Sequence, residues 1–502
     1  MKISKSEYLI YLDAPMHLWA YVHKKLDSNL IDTFAKHLFE QGYQVQKYAK
    51  EYIEKILIPD LYHNTKQFNL EVTKSDGLFE ARIDLLVFNE KEENWDLIEI
   101  KSTNDIKPIH QKDLTFQYLI FAKHYKIGKC YILHLNKDYE RKGQLSIKGL
   151  FTLTDITKRI LELVETVNIE RFEALEVAQQ KDYNEVEPCI KPKKCPCKEL
   201  CHPLLPNYSI YDISRISKEK VNFLRGNYSN DIKDVPSDRH LGKFVLTENQ
   251  RRQVDVAQGD SPFIDIFEIE SFLKELKYPL YFLDYESFNP AIPMYDNYKP
   301  YDQMPFQYSL HIKESNDSDF KHKEYLECSP VDPSIGLIKC LRKDIPLDNG
   351  SIIIWSKFER TQNNAMSRRY PEQSEFIENI NSRLWDLMEI FRKPMFALPE
   401  FKGSYSIKNI LPILVPELTY KGMPIANGSV AMTKWVQMVY GGGITAMDYS
   451  ESEEDFSTEA IDIPKEVVDK EEVRKNLLEY CKLDTWAMVK ILEKIEYYLR
   501  TI

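Results

Sequence analysis

Charge set into strand-length apolar runs limits the fold of this chain more than any other feature, and it occurs twice. The first instance couples Ala81-Arg82-Ile83-Asp84-Leu85-Leu86-Val87-Phe88 to Trp95-Asp96-Leu97-Ile98-Glu99-Ile100-Lys101 across the polar, turn-forming residues 89–94. That pattern predicts two adjacent strands of a hairpin. Side chains alternate between faces along a strand, so Glu99 and Lys101 project from one face. Asp84 and Glu99 are then a carboxylate pair able to hold a hard divalent cation. The Lys101 ammonium beside them can orient water or offset charge growing on a phosphate. A solvated hairpin face would carry the same residues. The second instance is Tyr278-Pro279-Leu280-Tyr281-Phe282-Leu283-Asp284-Tyr285-Glu286-Ser287, in which Asp284 and Glu286 share a face. Burying two like charges side by side is costly unless a cation neutralises them; two exposed acids at a strand end are the alternative.

Downstream of the hairpin, residues 108–125 have helical periodicity and place Asp113 and Gln117 one turn apart. The strand-like run Cys130-Tyr131-Ile132-Leu133 follows. The order strand, turn, strand, helix, strand, with Asp84, Glu99-x-Lys101 and the helical Gln117-Tyr118 pair, resembles the RecB-like branch of the PD-(D/E)XK nucleases. The resemblance implies a restriction-endonuclease-like core over residues 1–202. It also implies Mg²⁺ or Mn²⁺ held by Asp84 and Glu99, a catalytic Lys101, and Gln117 near the site. That family often has a His or Glu on an earlier helix after a Gly. Here Gly42-Tyr43-Gln44-Val45-Gln46 puts Gln46 at that place, leaving Glu51 or Glu54 as substitutes or as solvated helix positions.

Four of the eight cysteines fall within thirteen residues, at Cys189, Cys195, Cys197 and Cys201. The other cysteines are scattered and no apolar signal segment is visible, so a reducing cytoplasm is the expected compartment. Clustered thiolates there point to a soft metal centre. Their spacing matches neither a zinc ribbon nor a ferredoxin. A subset of RecB-like nucleases carries a [4Fe–4S] cluster on one N-terminal and three C-terminal cysteines. The stretch from Ser4-Lys5-Ser6-Glu7-Tyr8-Leu9 through Pro15 to Trp19 resembles that family's opening, but Ala14 stands where its Cys is expected. Three outcomes stay open: an iron–sulfur centre with Cys197 as fourth ligand, a Zn²⁺ site, or a metal-free remnant. In each the expected role is structural, tying down the tail of the first domain.

Far along the chain, Leu477-Leu478-Glu479-Tyr480-Cys481-Lys482-Leu483-Asp484-Thr485 reads as helix and sets Tyr480 one turn from Asp484. With the Asp284-x-Glu286 strand, it resembles the DEDDy class of 3′→5′ exonucleases, which have an RNase H-like fold. The resemblance covers residues 275–502. It implies a further acid at a helix start after the fourth strand. Ser351-Ile352-Ile353-Ile354-Trp355 is the candidate strand, and Glu359 stands where the family has Asp. Asp386 is a second candidate, read more simply as a solvated or capping helix residue. On this resemblance Asp284, Glu286, Glu359 and Asp484 bind two divalent cations, and Tyr480 orients the attacking water. A bacterial family of uncharacterised proteins joins a RecB-like nuclease to such a domain, and this chain resembles it along most of its length. The run Gly403-Ser404-Tyr405-Ser406-Ile407-Lys408 is a landmark of that resemblance with no chemistry assigned to it.

The expected architecture is therefore α/β. Residues 1–202 form a PD-(D/E)XK restriction-endonuclease-like core, 203–274 a polar connector and 275–502 an RNase H-like domain. One long amphipathic helix is expected over 154–180. The net charge of −11 divides as −1 over residues 1–200 and −10 over residues 201–502. Nucleic-acid binders normally show a basic surplus. The balance argues against a long passive duplex-binding surface, but not against a nuclease, whose metal-binding acids add negative charge. Eleven acids between Asp448 and Glu472 are read as a solvated loop or strand mimic, and Gly441-Gly442-Gly443 as a loop. Lys191, Lys193, Lys194 and Lys198, interleaved with the cysteines, are solvated or touch phosphate. No apolar run nears the length of a membrane span. The expected function is a metal-dependent nuclease acting on nucleic acid, DNA with single-stranded ends. Two other readings stay open: one live site with the other domain a binding module, and a non-catalytic scaffold of a DNA-processing complex.

Overall fold

The computed structural model describes residues 1–26, 33–236, 240–441 and 468–501. Most of the acidic stretch that begins at Asp448, together with Gly442 and Gly443, lies outside the described residues. The protein is mixed α/β and divides into two compact units, one of residues 1–204 with 290–302, the other of residues 205–289 with 303–502. The connector expected over 203–274 thus belongs almost wholly to the second unit. It is ordered around the helices Lys218–Asn227, Glu248–Gly259 and Ile266–Leu273. Pro290–Asp302, expected within the C-terminal domain, clusters with the first unit instead. There Ala291 and Ile292 join an apolar cluster with Leu85, Val87, Ile98 and Leu133. Tyr301 Oη also donates to the Ser102 carbonyl at 2.7 Å.

The first unit is built on one six-stranded sheet of β1 (Ile3–Ser4), β2 (Phe68–Ser75), β3 (Phe79–Asn89), β4 (Asn94–Lys101), β5 (Ile127–Leu135) and β6 (Phe151–Asp155). Its order is β1-β3-β4-β5-β6, with β2 also paired to β3. β3 and β4 are the antiparallel hairpin, Leu85 opposite Ile98 and Leu86 opposite Leu97. β5 joins β4 in parallel, which requires a crossover, and the helix Pro108–Phe121 supplies it. Leu97 packs in the cluster formed by Leu114, Phe116 and Ile120 of that helix. Glu99 and Lys101 continue the parity of Leu97, so they face the same helix. The helix expected over 154–180 spans Thr157–Gln179, because Phe151–Asp155 is extended and pairs with β5. At the N-terminus Ser4 and Glu7 form a reciprocal capping box that starts the helix Lys5–Asp13.

In the second unit β7 (His240–Leu241) pairs with β8 (Phe244–Val245), and β9 (Phe263–Ile264) with β15 (Phe396–Ala397). The main sheet contains β10 (Leu280–Phe288), β11 (Met304–Lys313), β12 (Phe320–Leu326), β13 (Ile352–Ile354) and β14 (Leu384–Asp386), in the order β12-β11-β10-β13-β14. β10 runs antiparallel to β11 and parallel to β13. Tyr281, Leu283 and Tyr285 of β10 pack on one face against the helices Pro333–Asp344, Phe358–Arg369 and Ser374–Ser382. Period-two alternation sends Asp284 and Glu286 to the other face. The long helix Lys470–Thr501 covers that face, held by Gln307 Nε2 donating to the Leu477 carbonyl at 2.8 Å and by His311 Nδ1 against Thr485 Oγ1 at 2.8 Å. Asp386, expected on a helix, instead ends strand β14. Among the described residues no helix is long and apolar enough to cross a membrane.

Candidate functional site

In the first unit the expected residues converge with one more cation, Lys5, and one more acid, Asp113. Glu99 is 2 % exposed. Its Oε1 accepts from Lys101 Nζ at 2.8 Å and from Lys5 Nζ at 2.9 Å, while its Oε2 accepts from Gln117 Nε2 at 2.9 Å. Lys101 Nζ also reaches Asp113 Oδ2 at 2.5 Å, and Gln117 Nε2 donates to Asp113 Oδ1 at 3.0 Å. Across the hairpin Asp84 Oδ2 accepts from the Ile100 backbone N–H at 2.7 Å. Burial and then the charge of Glu99 push Asp84 up to about 7. Burial also opposes ionisation of Glu99, but Lys101 and Lys5 outweigh it and bring the group down to about 2. Gln46 is exposed, Glu51 pairs with Lys55 at 2.7 Å on the surface, and Glu54 is exposed; none of the three joins the cluster.

The second unit gathers its acids more tightly. Asp284, Glu286 and Asp484 each offer an oxygen within 4.8 Å of the others, the distance range of ligands around one cation. Glu359, in the first turn of Phe358–Arg369, is 2 % exposed, and its Oε2 has no hydrogen-bond partner. It lies outside the tight trio but within reach of its charge. Burial first, then Asp484, Glu359 and Glu286, hold Asp284 well above the usual carboxylate range. Burial, with Asp484 next, drives Glu286 up to about 8. Burial and Asp386 do the same for Glu359, also to about 8. Asp386 uses Oδ1 to accept from the Ser356 and Met388 N–H groups, a local capping role, and its Oδ2 is buried without a partner.

Three side chains around this trio were not legible from spacing. Tyr420 Oη donates to Asp484 Oδ1 at 2.7 Å. Lys408 Nζ donates to Tyr480 Oη at 2.9 Å and to the Ala426 carbonyl at 2.9 Å. Cys481 Sγ lies 3.6 Å from Asp284 Oδ2. Burial opposes ionisation of Asp484, yet the phenols of Tyr420 and Tyr480 and the Lys408 charge counter it, leaving the group near 6. Tyr480 is 3 % exposed, and burial with the surrounding carboxylates keeps its phenol protonated. A Cβ on Gly428 would stand 3.3 Å from Glu286 Oε2, so a glycine lets the start of the helix Gly428–Tyr440 come close to that carboxylate.

The cysteine tail folds back on the helix Pro15–Val22. Ala14, Met16, Trp19, Val186, Cys189, Cys197 and Cys201 share one small apolar cluster. His17, Cys189, Cys195 and Cys201 offer ligand atoms within 4.8 Å of one another. Cys197, named with the other three from the sequence, is not in that group, although its Sγ lies 3.7 Å from Cys201 Sγ and 4.0 Å from Cys195 Sγ. The donor set could hold a metal ion, His17 being the member that the cysteine pattern did not reveal.

Residues 281–406 match a family model described as "Domain of unknown function (DUF2779)". That span takes in Asp284, Glu286 and Glu359 and ends before Lys408, Tyr480 and Asp484. A curated relative, "Uncharacterized protein UU173" of Ureaplasma parvum serovar 3, is 26 % identical over 323 residues, covering 59 % of this chain and 41 % of its own. The chain thus spans less than half the length of that relative. A solved structure described as "Crystal structure of SSO0001" has 15 % identity and a TM-score of 0.21, over 39 % of this chain and 86 % of its own; that likeness carries no argument about fold or function.

Proposed function

We propose that this protein is a metal-dependent nuclease whose principal active site is the carboxylate cluster of the second unit. One observation carries the reading. Glu286, Glu359 and Asp484 are buried and Asp284 is half-buried; Asp284, Glu286 and Asp484 crowd their oxygens within 4.8 Å, and the Lys408 ammonium acts on those three. Carboxylates gathered this closely, three of the four buried, are unfavourable unless protonated or joined by further positive charge. Hard oxygen donors at this spacing fit Mg²⁺ or Mn²⁺, and the partnerless Glu359 Oε2 is a spare donor beside them. Bound there, divalent cations would supply Lewis-acid polarisation of a phosphate and acidification of water. Tyr480, neutral and held by Lys408, would orient that water; Tyr420 would keep Asp484 ionised and fixed.

The placement of these residues supports the RNase H-like, DEDDy-type reading. The Asp-x-Glu pair lies on the first strand of the five-stranded sheet, and Glu359 starts the helix after its fourth strand. Tyr480 and Asp484 share a turn of the last helix. The order of β3, β4, the Pro108–Phe121 helix and β5 supports a PD-(D/E)XK-like core in the first unit. Its Asp84, Glu99, Lys101 and Gln117 are the residues that core would use.

A second reading has a specific observation behind it: the first unit binds nucleic acid or protein without cleaving. Both Glu99 oxygens are engaged, by Lys5 and Lys101 on one side and Gln117 on the other. A cation can reach Glu99 only if Lys5 or Gln117 moves.

The test is incubation of the full chain with end-labelled single-stranded DNA and RNA, in Mn²⁺ or in EDTA. Manganese-dependent shortening from the 3′ end, lost in Asp284→Asn, is the expected result. If Asp84→Asn removes a separate cleavage, the first unit is also an enzyme. Full cleavage by the double variant would refute both assignments.

A further inference from the structure

We propose that the thiol cluster of the first unit is a mononuclear zinc centre with His17 as its fourth ligand, and that a four-iron cluster does not fit it. The ligand spread decides between them. Zinc binds thiolate sulfur at about 2.3 Å and imidazole nitrogen at about 2.0–2.1 Å, so tetrahedral ligands stand roughly 3.5–3.8 Å apart. In a [4Fe–4S] cube each thiolate points outward from its own iron, which spreads the four ligand atoms to roughly 6 Å. His17, Cys189, Cys195 and Cys201 keep all four atoms within 4.8 Å of one another. That cage is sized for one ion.

The histidine is prepared for the role. His17 is 5 % exposed, and its Nδ1 lies 2.6 Å from Asp13 Oδ2. A proton on Nδ1, donated to Asp13, leaves the Nε2 lone pair free, and Nε2 lies 3.4 Å from Cys195 Sγ. A carboxylate behind a ligating imidazole fixes ring and tautomer in many zinc sites. His17 lies three residues after Ala14, inside the helix that Ala14 begins, and so supplies a donor that the cysteine pattern lacks. Three thiolates and an imidazole form a Cys₃His set, a recurrent structural zinc site. Cys197 is left as a neighbour in the apolar cluster, and His202 Nε2 lies 3.3 Å from Cys189 Sγ, placed to donate to a coordinated thiolate. Coordination would pin Pro15–Val22 to the tail across more than 170 residues of chain, which is a folding role.

The test uses the full chain purified anaerobically. Metal and sulfide analysis should give about one zinc per chain, no inorganic sulfide and no band near about 400 nm. His17→Ala should lose the zinc to a competing chelator. Asp13→Asn, which keeps every ligand, should weaken retention about 10- to 100-fold, while Cys197→Ala should retain zinc like the parent. If His17→Ala fails to fold, the Asp13 and Cys197 variants still decide. Iron with sulfide, a chain free of both metals, or zinc lost in Cys197→Ala but unaffected in Asp13→Asn would each overturn the proposal.

Discussion

The Lys408 ammonium donates to the Tyr480 hydroxyl at 2.9 Å and stands 4.9 Å from the centre of the Tyr480 ring. One lysine thus orients the phenol and brings positive charge to Asp484 and Glu286, whose ionisation it favours. Lys408→Met removes that help, so both acids need higher pH to ionise. The acidic limb of the rate–pH profile should move upward by roughly one unit, with lower turnover throughout. An unmoved limb would remove Lys408 from the site.

Glu359 bears on the length of the middle acid. Its partnerless Oε2 among other buried acids gives it a role that Gln cannot fill. Glu359→Gln should lower cleavage by roughly 10²–10⁴-fold, and Glu359→Asp should recover part of it. The Gln variant should be at least as resistant to urea in EDTA at pH 8, because a buried charge is gone. Wild-type turnover in Glu359→Gln would exclude it from catalysis.

The raised acids also set a pH dependence of stability. Glu286 is lifted from 4.5 to about 8 by burial and Asp484. Between those values the folded chain holds a proton that the unfolded chain has released. The stability this group contributes in EDTA is therefore fully present below about pH 4.5 and is lost as pH rises through about 8. Mn²⁺ should flatten that decline by replacing the proton, as should Asp284→Asn in part. Urea titrations at pH 5, 6.5 and 8, with and without Mn²⁺, measure it; a chelated protein that grows more stable toward pH 8 contradicts the site.

Lys5 tests the first unit. Its ammonium neutralises Glu99 from a helix ninety-four positions away. Lys5→Ala should cost about 1.5–3 kcal/mol of stability for the lost charged hydrogen bond. It should also tighten Mn²⁺ binding in an Asp284→Asn, Asp484→Asn background, read by calorimetric titration. No gain in binding would favour the non-cleaving reading of this unit.

Local periodicity carried much of this molecule into its sequence. The β3–β4 hairpin around residues 89–94, the placement of Asp113 and Gln117 on one helical face, and the pairing of Tyr480 with Asp484 all follow from periods of two and 3.6. The residues that complete each cluster did not follow. Lys5 meets Glu99, Tyr420 meets Asp484 and His17 meets Cys195 only through tertiary packing, across 94, 64 and 178 positions. Lys408 was visible as part of a landmark run, but its chemistry depends on a phenol seventy-two positions later. Asp386 was misplaced on a helix because a three-residue strand is too short to display alternation.

The excursion of Pro290–Asp302 has a practical corollary. Cutting the polypeptide after Leu204 would strip the N-terminal body of Ala291, Ile292 and the Tyr301 latch, uncovering greasy surface where they had docked. Half-length fragments are therefore poor surrogates for either body, and point substitutions in the intact molecule are the sounder way to assign each chemistry to its place.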